Sequence, residues 1–168
     1  AMRYVTEGRY SGLKPPYLEE TILRVSEEGK VLSEESVLEV LYKNHMEHIL
    51  FTNRRVSEMG NKELTHLNDV DELTPQLAPA FPEFAVGDLL ISMRYPHLVM
   101  VVDPNTWRVK WHQMGPWIAQ HDPDFMPNGH IRIVNNNNDE TSSGSILGGS
   151  TIVEVDPVKG DLKVVYGD

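Results

Sequence analysis

The feature that most constrains the fold is a pattern that occurs three times along the chain. Each copy has a β-rich run, a short turn rich in Asp, Pro, Asn or Gly, and a second β-rich run. The copies lie at residues 21–32, 98–111 and 151–165. Runs of β-branched residues on either side of such turns are typical of β-hairpins, because these turn residues adopt the required backbone angles at little cost. The pattern therefore predicts an all-β chain.

A further pair of β-rich runs precedes each of the two later hairpins. Residues 65–70 and 87–92 precede the second hairpin, and residues 120–125 and 129–134 precede the third. A four-strand unit that repeats after about 50 residues is typical of a propeller blade. A sandwich of independent strands is the alternative. We predict a single domain, residues 1–168, that forms a partial β-propeller of about two and a half four-stranded blades, at residues 17–35, 64–114 and 119–168.

One segment departs from the β pattern. Ser36 is followed three positions later by Glu39, which is the spacing of a helix capping box. Apolar residues then follow in roughly helical spacing up to Leu50. We therefore predict one inserted helix over residues 36–50.

The number of blades predicts self-association. A closed propeller typically contains four to eight blades, and two and a half blades leave apolar sheet faces uncovered. A second copy of the chain would cover them, and symmetric closed assemblies are the usual form of self-association. The chain is therefore expected to form a homo-oligomer, a dimer in the simplest case.

Composition argues against several classes of function. The chain has 25 acidic and 15 basic residues, a net charge of −10 and no cysteine. An acidic surface disfavours nucleic-acid binding, which requires Lys and Arg to neutralise phosphates. No apolar stretch approaches the roughly 20 residues of a membrane span. Phosphate-binding glycine loops are also lacking. His45 and His48, three apart on the predicted helix, have a spacing that could hold a metal, but we interpret them as a solvated helix face. We therefore predict no nucleic-acid or membrane partner, no metal and no cofactor.

Four polar residues fall where the predicted blades would face a central channel. His66 and His121 occupy equivalent places at the starts of two innermost strands, and strand alternation puts Asn68 on the side of His66. Arg94 ends the next strand. Imidazoles, an amide and a guanidinium would together suit a tetrahedral oxyanion such as sulfate or phosphate. The alternative is structural, with each His a hydrogen-bonded packing residue and Arg94 a surface ion-pair partner.

Several of these segments resemble the arylsulfotransferase family. The resemblance extends from about residue 20 to residue 168, and its most specific part is Gly-Pro-Trp-Ile-Ala-Gln-His-Asp-Pro-Asp-Phe-Met-Pro-Asn-Gly at residues 115–129. The other matching segments are residues 65–70, 87–94 and 109–111. The resemblance implies a six-bladed propeller that transfers a sulfuryl group from a phenolic sulfate to a phenol without a nucleotide sulfate donor. It also implies a periplasmic or secreted location, although the sequence shows no signal-peptide pattern.

The resemblance also implies roles for the four candidate residues. His121 matches the histidine that carries the sulfuryl group, His66 and Asn68 match a His-x-Asn pair that binds sulfate, and Arg94 matches an arginine that clamps sulfate oxygens. Two features differ from the family: an active-site histidine from an earlier blade has no counterpart, and residues 134–137, Val-Asn-Asn-Asn, stand where the family has an aromatic-Asp-Asn sequence. The alternative function is therefore a truncated, non-catalytic propeller-like module for protein association or self-assembly.

Overall fold

A computed structural model describes residues 1–52, 63–138 and 148–167 of the chain. The chain divides into two compact units, Ala1–His66 and Leu67–Asp168, and each is described by itself. The described residues form three antiparallel sheets, of three, four and four strands. The prediction of an all-β chain is therefore confirmed, whereas the propeller and the single domain stay predictions.

The first unit contains the three-stranded sheet and two short helices. The strands are β1 (Met2–Val5), β2 (Tyr17–Val25) and β3 (Val31–Ser36), which pair in chain order with β2 in the centre. The hairpin predicted from the β-rich runs around the Ser-Glu-Glu-Gly turn is present as β2–β3. The glycine of this turn, Gly29, has φ +81°. β1 was not predicted, because its four residues carry no turn signal or alternating pattern.

The predicted helix over residues 36–50 is two helices. The first, α1, is Val37–Lys43, and the second, α2, is Ile49–Thr52. Ser36 caps α1 as expected, since its side chain accepts a hydrogen bond from the Glu39 amide at 3.3 Å. The helix ends at Asn44, whose side chain donates to the carbonyl of Val40, and His45 follows with φ +56°. A residue in the left-handed region cannot continue an α-helix. The spacing of the apolar residues continues past this point, and it therefore did not predict the break.

The second unit contains the two four-stranded sheets, and in each the strands pair in chain order. The four strands predicted in each of the two later repeats are therefore present. The first sheet comprises β4 (Leu67–Glu72), β5 (Leu89–Met93), β6 (Leu98–Asp103) and β7 (Arg108–Met114). The second comprises β8 (His121–Phe125), β9 (Ile131–Asn135), β10 (Thr151–Val155) and β11 (Leu162–Tyr166).

The last turn of each four-stranded sheet uses the same chemistry. Asp103 accepts a hydrogen bond from the Asn105 amide at 2.9 Å. Asp156 accepts from the amides of Val158 and Lys159 at 2.9 and 3.0 Å. These bonds to backbone and to Lys159 lower the pKa of Asp156 to about 2. Because a carboxylate that binds amides two or three residues on stabilises a turn, the turn positions predicted from the repeat are confirmed.

The core of the second unit is formed by side chains from both of its sheets. β6 is buried along nearly its whole length, and β9 buries every second residue. The largest side chain of the cluster, Trp117, lies in the β7–β8 connection and is 1% exposed. The other aromatic members are Phe81, Phe84 and Phe125. This packing holds the start of β8 in place.

In the described residues, no helix has the length and apolar character needed to cross a membrane.

Candidate functional site

The site is built on two edge strands of the second unit, β4 and β8, which contact each other. Each of the two strands is irregular at the same place, near its start. In β4 the pairing register shifts between Leu67 and Asp69, and in β8 it shifts between His121 and Asp124. Such bulges redirect side chains and are frequent beside functional sites. Here they re-aim Asn68 and His121, two of the four predicted residues.

The structure brings Asn68 and His121 into direct contact. The Asn68 amide nitrogen, Nδ2, lies 3.0 Å from Nδ1 of His121 and 2.7 Å from the carbonyl oxygen of Gln120. Both side chains are partly buried, and the buried Oδ1 atom of Asn68 has no hydrogen-bond partner among the residues that the structure describes. The two residues are far apart in sequence, so this contact depends on the packing of β4 against β8.

Gln120, which precedes His121, fixes the start of β8 to the first sheet of the unit. It is fully buried, and its amide nitrogen lies 3.0–3.1 Å from three acceptors, Ser92 Oγ, the Met93 carbonyl and the Leu98 carbonyl, which share its two hydrogens. Three acceptors around one amide nitrogen restrict the side chain to one position. Gln120 is a site residue that no sequence pattern predicts, because only the folded sheet brings these acceptors together.

The second sheet holds the same segment through two asparagines. Asn135 accepts from the Ile118 amide at 2.8 Å, and Asn136 donates to the Ala119 carbonyl at 2.8 Å. On the other side, the Ala119 amide donates to His97 Nδ1 at 3.0 Å. The Asn-rich sequence after β9, which differs from the family pattern, therefore positions the residues that lead to His121.

Arg94 lies in the β5–β6 turn, directly after the strand it was expected to end. Its Nε atom is buried, with no hydrogen-bond partner among the residues that the structure describes. The guanidinium carbon lies 6.0 Å from the ring centroid of Tyr95. A buried guanidinium N–H without an acceptor is costly, so this atom is a natural donor to an oxyanion.

His66 is the last residue of the first unit. It precedes β4 instead of starting it, and its φ of +50° places it outside the strand geometry. Strand alternation therefore does not relate it to Asn68, contrary to the sequence-based argument. Its Nδ1 lies 3.0 Å from Glu63 Oε2. The prediction that His66 shares a pocket with His121 stays a prediction.

Four aspartates lie on β4 and β8 beside the Asn68–His121 pair. Burial, together with the charges of Asp122, Asp71 and Asp124, raises the pKa of Asp69 to about 6. Burial and the same kind of repulsion also raise the pKa of Asp124. In the described part of the chain, no cluster of His, Asp or Glu has an arrangement that could hold a metal ion. The Asn68–His121 pair therefore lies beside a strongly acidic cluster.

These features describe an all-β protein with a His–Asn pair at the contact of two antiparallel sheets. The family model described as Arylsulfotransferase (ASST) matches residues 16–166. The chain therefore belongs to the arylsulfotransferase family, as its resemblance predicted. Comparison with curated proteins and with solved structures gives no match.

Proposed function

We propose that this chain transfers a sulfuryl group from a phenolic sulfate to a phenol, with His121 as the residue that carries the group. The observation that supports this most directly is the contact between Asn68 and His121, because the resemblance gave both residues roles at one sulfate site. Family membership supports the same reaction. On this proposal, the two four-stranded sheets are blades of a partial β-propeller, and the three-stranded sheet belongs to a third blade.

The proposed chemistry has two steps. An imidazole nitrogen of His121 attacks sulfur, the bond from sulfur to the aryl oxygen breaks, and the electron pair leaves with the phenolate. A phenol then attacks the sulfo-histidine, and its proton passes to solvent or to a nearby base. Because charge develops on the aryl and sulfuryl oxygens, fixed donors there lower the barrier. Arg94 would supply one, because its buried Nε–H has no acceptor in the described part of the chain. The resemblance gives Asn68 a role in the same sulfate site.

Intact-mass spectrometry tests the proposal. The protein is incubated with a phenyl sulfate, and the released phenol is followed in parallel. We expect a gain of one sulfuryl group in the wild-type chain and in His112→Asn, and none in His121→Asn. His112 is a suitable control because it is an exposed histidine on β7. Equal phenol release by all three proteins, or an adduct that persists in His121→Asn, would contradict the role of His121.

A second candidate function is protein association, and a specific observation favours it. β11 is an edge strand of its sheet, and its outer residues Val164, Val165 and Tyr166 are exposed. Edge strands with exposed apolar side chains are prone to pair with another chain. A truncated, non-catalytic module would use such an edge for self-assembly. Light scattering tests this candidate, and a chain that is monomeric at all concentrations would exclude it.

A further inference from the structure

The side chain of Gln120 is held by acceptors of the first four-stranded sheet. Its amide nitrogen lies 3.0–3.1 Å from Ser92 Oγ and from the carbonyl oxygens of Met93 and Leu98. Carbonyl oxygens can only accept hydrogen bonds, so the NH₂ group of Gln120, and not its amide oxygen, must face them. Gln120 is fully buried, and solvent therefore does not compete for its two hydrogens. The sheet thus determines the orientation of this amide.

Two of these acceptors lie opposite the bulge of β4. In the β4–β5 ladder, Met93 pairs with Leu67 and Ser92 pairs with Asp69, so Asn68 is the extra residue between two paired positions. The extra residue of a bulge is left unpaired in the ladder, and its place therefore depends on the residues around it. The hydrogen bonds to Ser92 and Met93 accordingly fix the stretch of β5 that sets the place of Asn68.

The backbone of Gln120 binds Asn68 a second time, from the other side of the bulge. The carbonyl oxygen of Gln120 accepts from Asn68 Nδ2 at 2.7 Å, and the same nitrogen lies 3.0 Å from Nδ1 of His121, the next residue along the chain. Gln120 therefore holds Asn68 both directly and through β5. Since His121 follows Gln120, one residue relates the positions of both members of the pair.

The backbone around His121 needs such a hold. Ala119 and Asp122, which flank the Gln120–His121 dipeptide, have φ of +53° and +44°. Residues other than glycine adopt these angles at a cost, and only where the surrounding structure holds them. Pairing with β9 contributes little here, because the register shifts between His121 and Asp124. The side chain of Gln120 therefore supplies a restraint that the β8–β9 ladder does not.

We infer that Gln120 is a positioning residue that sets the place of His121 against Asn68 by binding both sides of the β4 bulge. Gln120 acts through these two residues and has no contact with the sulfuryl group. The inference rests on the proposed function only for its effect on rate. A displaced imidazole slows group transfer, because the reacting atoms must be aligned closely before the bond to sulfur forms.

Gln120→Met tests the effect on rate, because methionine keeps the length of the side chain and has no donor. Phenol release from phenyl sulfate is measured and divided by the folded fraction, which tryptophan fluorescence reports. We expect kcat to fall about tenfold or more and KM to change less. Gln113→Met is the matched control, since Gln113 lies on β7 and donates to the Gly115 carbonyl at 2.9 Å; it should keep the wild-type rate. A purely structural role of Gln120 would leave the rate per folded molecule unchanged, and this result would overturn the inference.

Side-chain amide signals in ¹H–¹⁵N spectra test the inference without turnover. In wild type we expect the NH₂ hydrogens of Gln120 and Asn68 to exchange with solvent much more slowly than those of Asn105, which is exposed. In Gln120→Met the Asn68 NH₂ and His121 ring signals should shift, and in Gln113→Met they should not. Gln120 hydrogens that exchange as fast as those of Asn105 would overturn the inference, even if Gln120→Met does not fold.

The two arms separate the inference from the proposed function. Expected spectra without a sulfo-histidine in any protein would contradict the proposed function and support the positioning of His121 by Gln120. A sulfo-His121 adduct that forms equally fast in wild type and Gln120→Met would refute the inference and keep the proposed function. Unshifted Asn68 and His121 signals in folded Gln120→Met would also refute the inference.

Discussion

At the scale of single residues, Glu19 is a carboxylate of the first unit that accepts several hydrogen bonds. It is fully buried on β2. Arg3, Tyr10 and Ser36 each donate to it at 2.6 Å, and Arg9 donates at 3.3 Å. These hydrogen bonds outweigh the effect of burial, which acts in the opposite direction, and lower the pKa of Glu19 to about 2. A buried charge with this many donors stabilises the fold only while the whole set is intact.

Glu19→Gln is expected to destabilise the folded chain by about 3 kcal/mol at pH 7. The substitution replaces one carboxylate oxygen by an NH₂ group, which cannot accept, so buried donors lose their acceptor. Urea unfolding followed by circular dichroism measures the change. Glu34→Gln is a matched control on the neighbouring strand. The Glu34 side chain is 44% exposed, and its Oε1 lies 3.9 Å from Nη1 of Arg3. It should cost less than about 1 kcal/mol. Equal effects of the two substitutions would contradict the importance of the Glu19 network.

The same carboxylate predicts an acid dependence of stability. The pKa of Glu19 is lower in the folded chain, at about 2, than the ordinary value of 4.5. Its stabilising contribution is therefore complete above pH 4.5 and is lost as the pH falls toward 2. The difference in unfolding free energy between wild type and Glu19→Gln should accordingly shrink from pH 6 to pH 3. A difference that stays constant over this range would contradict the assignment.

At the scale of secondary-structure elements, the strands and their turns could be predicted from sequence because their signals are local. Asp103 and Asp156 bind backbone amides within three residues, so their sequence positions suffice. The helix break at Asn44 and the bulge at Asn68 could not be predicted in this way. Neither carries a Gly or Pro signal. The repeat pattern and the resemblance both predict Asn68 and His121 at one pocket. The geometry of their contact depends on side chains such as Gln120, which binds across two sheets.

The β8–β9 turn illustrates a constraint that only the folded structure shows. Gly129 has φ +79°, and a Cβ atom added there would lie 2.7 Å from the carbonyl oxygen of Ala80. Gly160, in the β10–β11 turn, has φ +76°, but an added Cβ would meet nothing within 4 Å. Both positions favour glycine for its backbone freedom, yet only Gly129 is also restricted by a neighbouring backbone atom.

Gly129→Ala is therefore expected to cost about 3 kcal/mol, and Gly160→Ala about 1 kcal/mol. The backbone angle contributes to both values, so their difference measures the close approach to Ala80. All three tryptophans lie in the second unit, and their fluorescence during urea unfolding reports on it directly. Equal destabilisation by the two substitutions would show that residues 78–80 move aside without cost.

At the scale of the whole molecule, the surface combines a net charge of −10 with exposed apolar strands. The charge favours solubility and opposes close approach of two copies. Exposed edge strands act in the opposite direction, because their backbone groups and apolar side chains can pair with another chain. At an ionic strength of 0.1 M, salt screens the repulsion between charges that lie more than about 10 Å apart. Self-association should therefore strengthen as the salt concentration rises.

The sequence predicts a dimer that covers apolar sheet faces, and the exposed side chains of β11 make this strand our candidate for its interface. Val164 is 48% exposed and Tyr166 is 73% exposed, and a two-fold axis beside β11 would pair the strand with its copy and cover both side chains. We expect wild type to be a dimer by light scattering and the double substitution Val164→Glu, Tyr166→Glu to be monomeric. Val158→Glu is the control, since Val158 is 70% exposed in the adjoining turn and should leave the dimer intact. A double variant that remains dimeric would place the interface elsewhere, and a monomeric wild type at high salt would exclude the dimer.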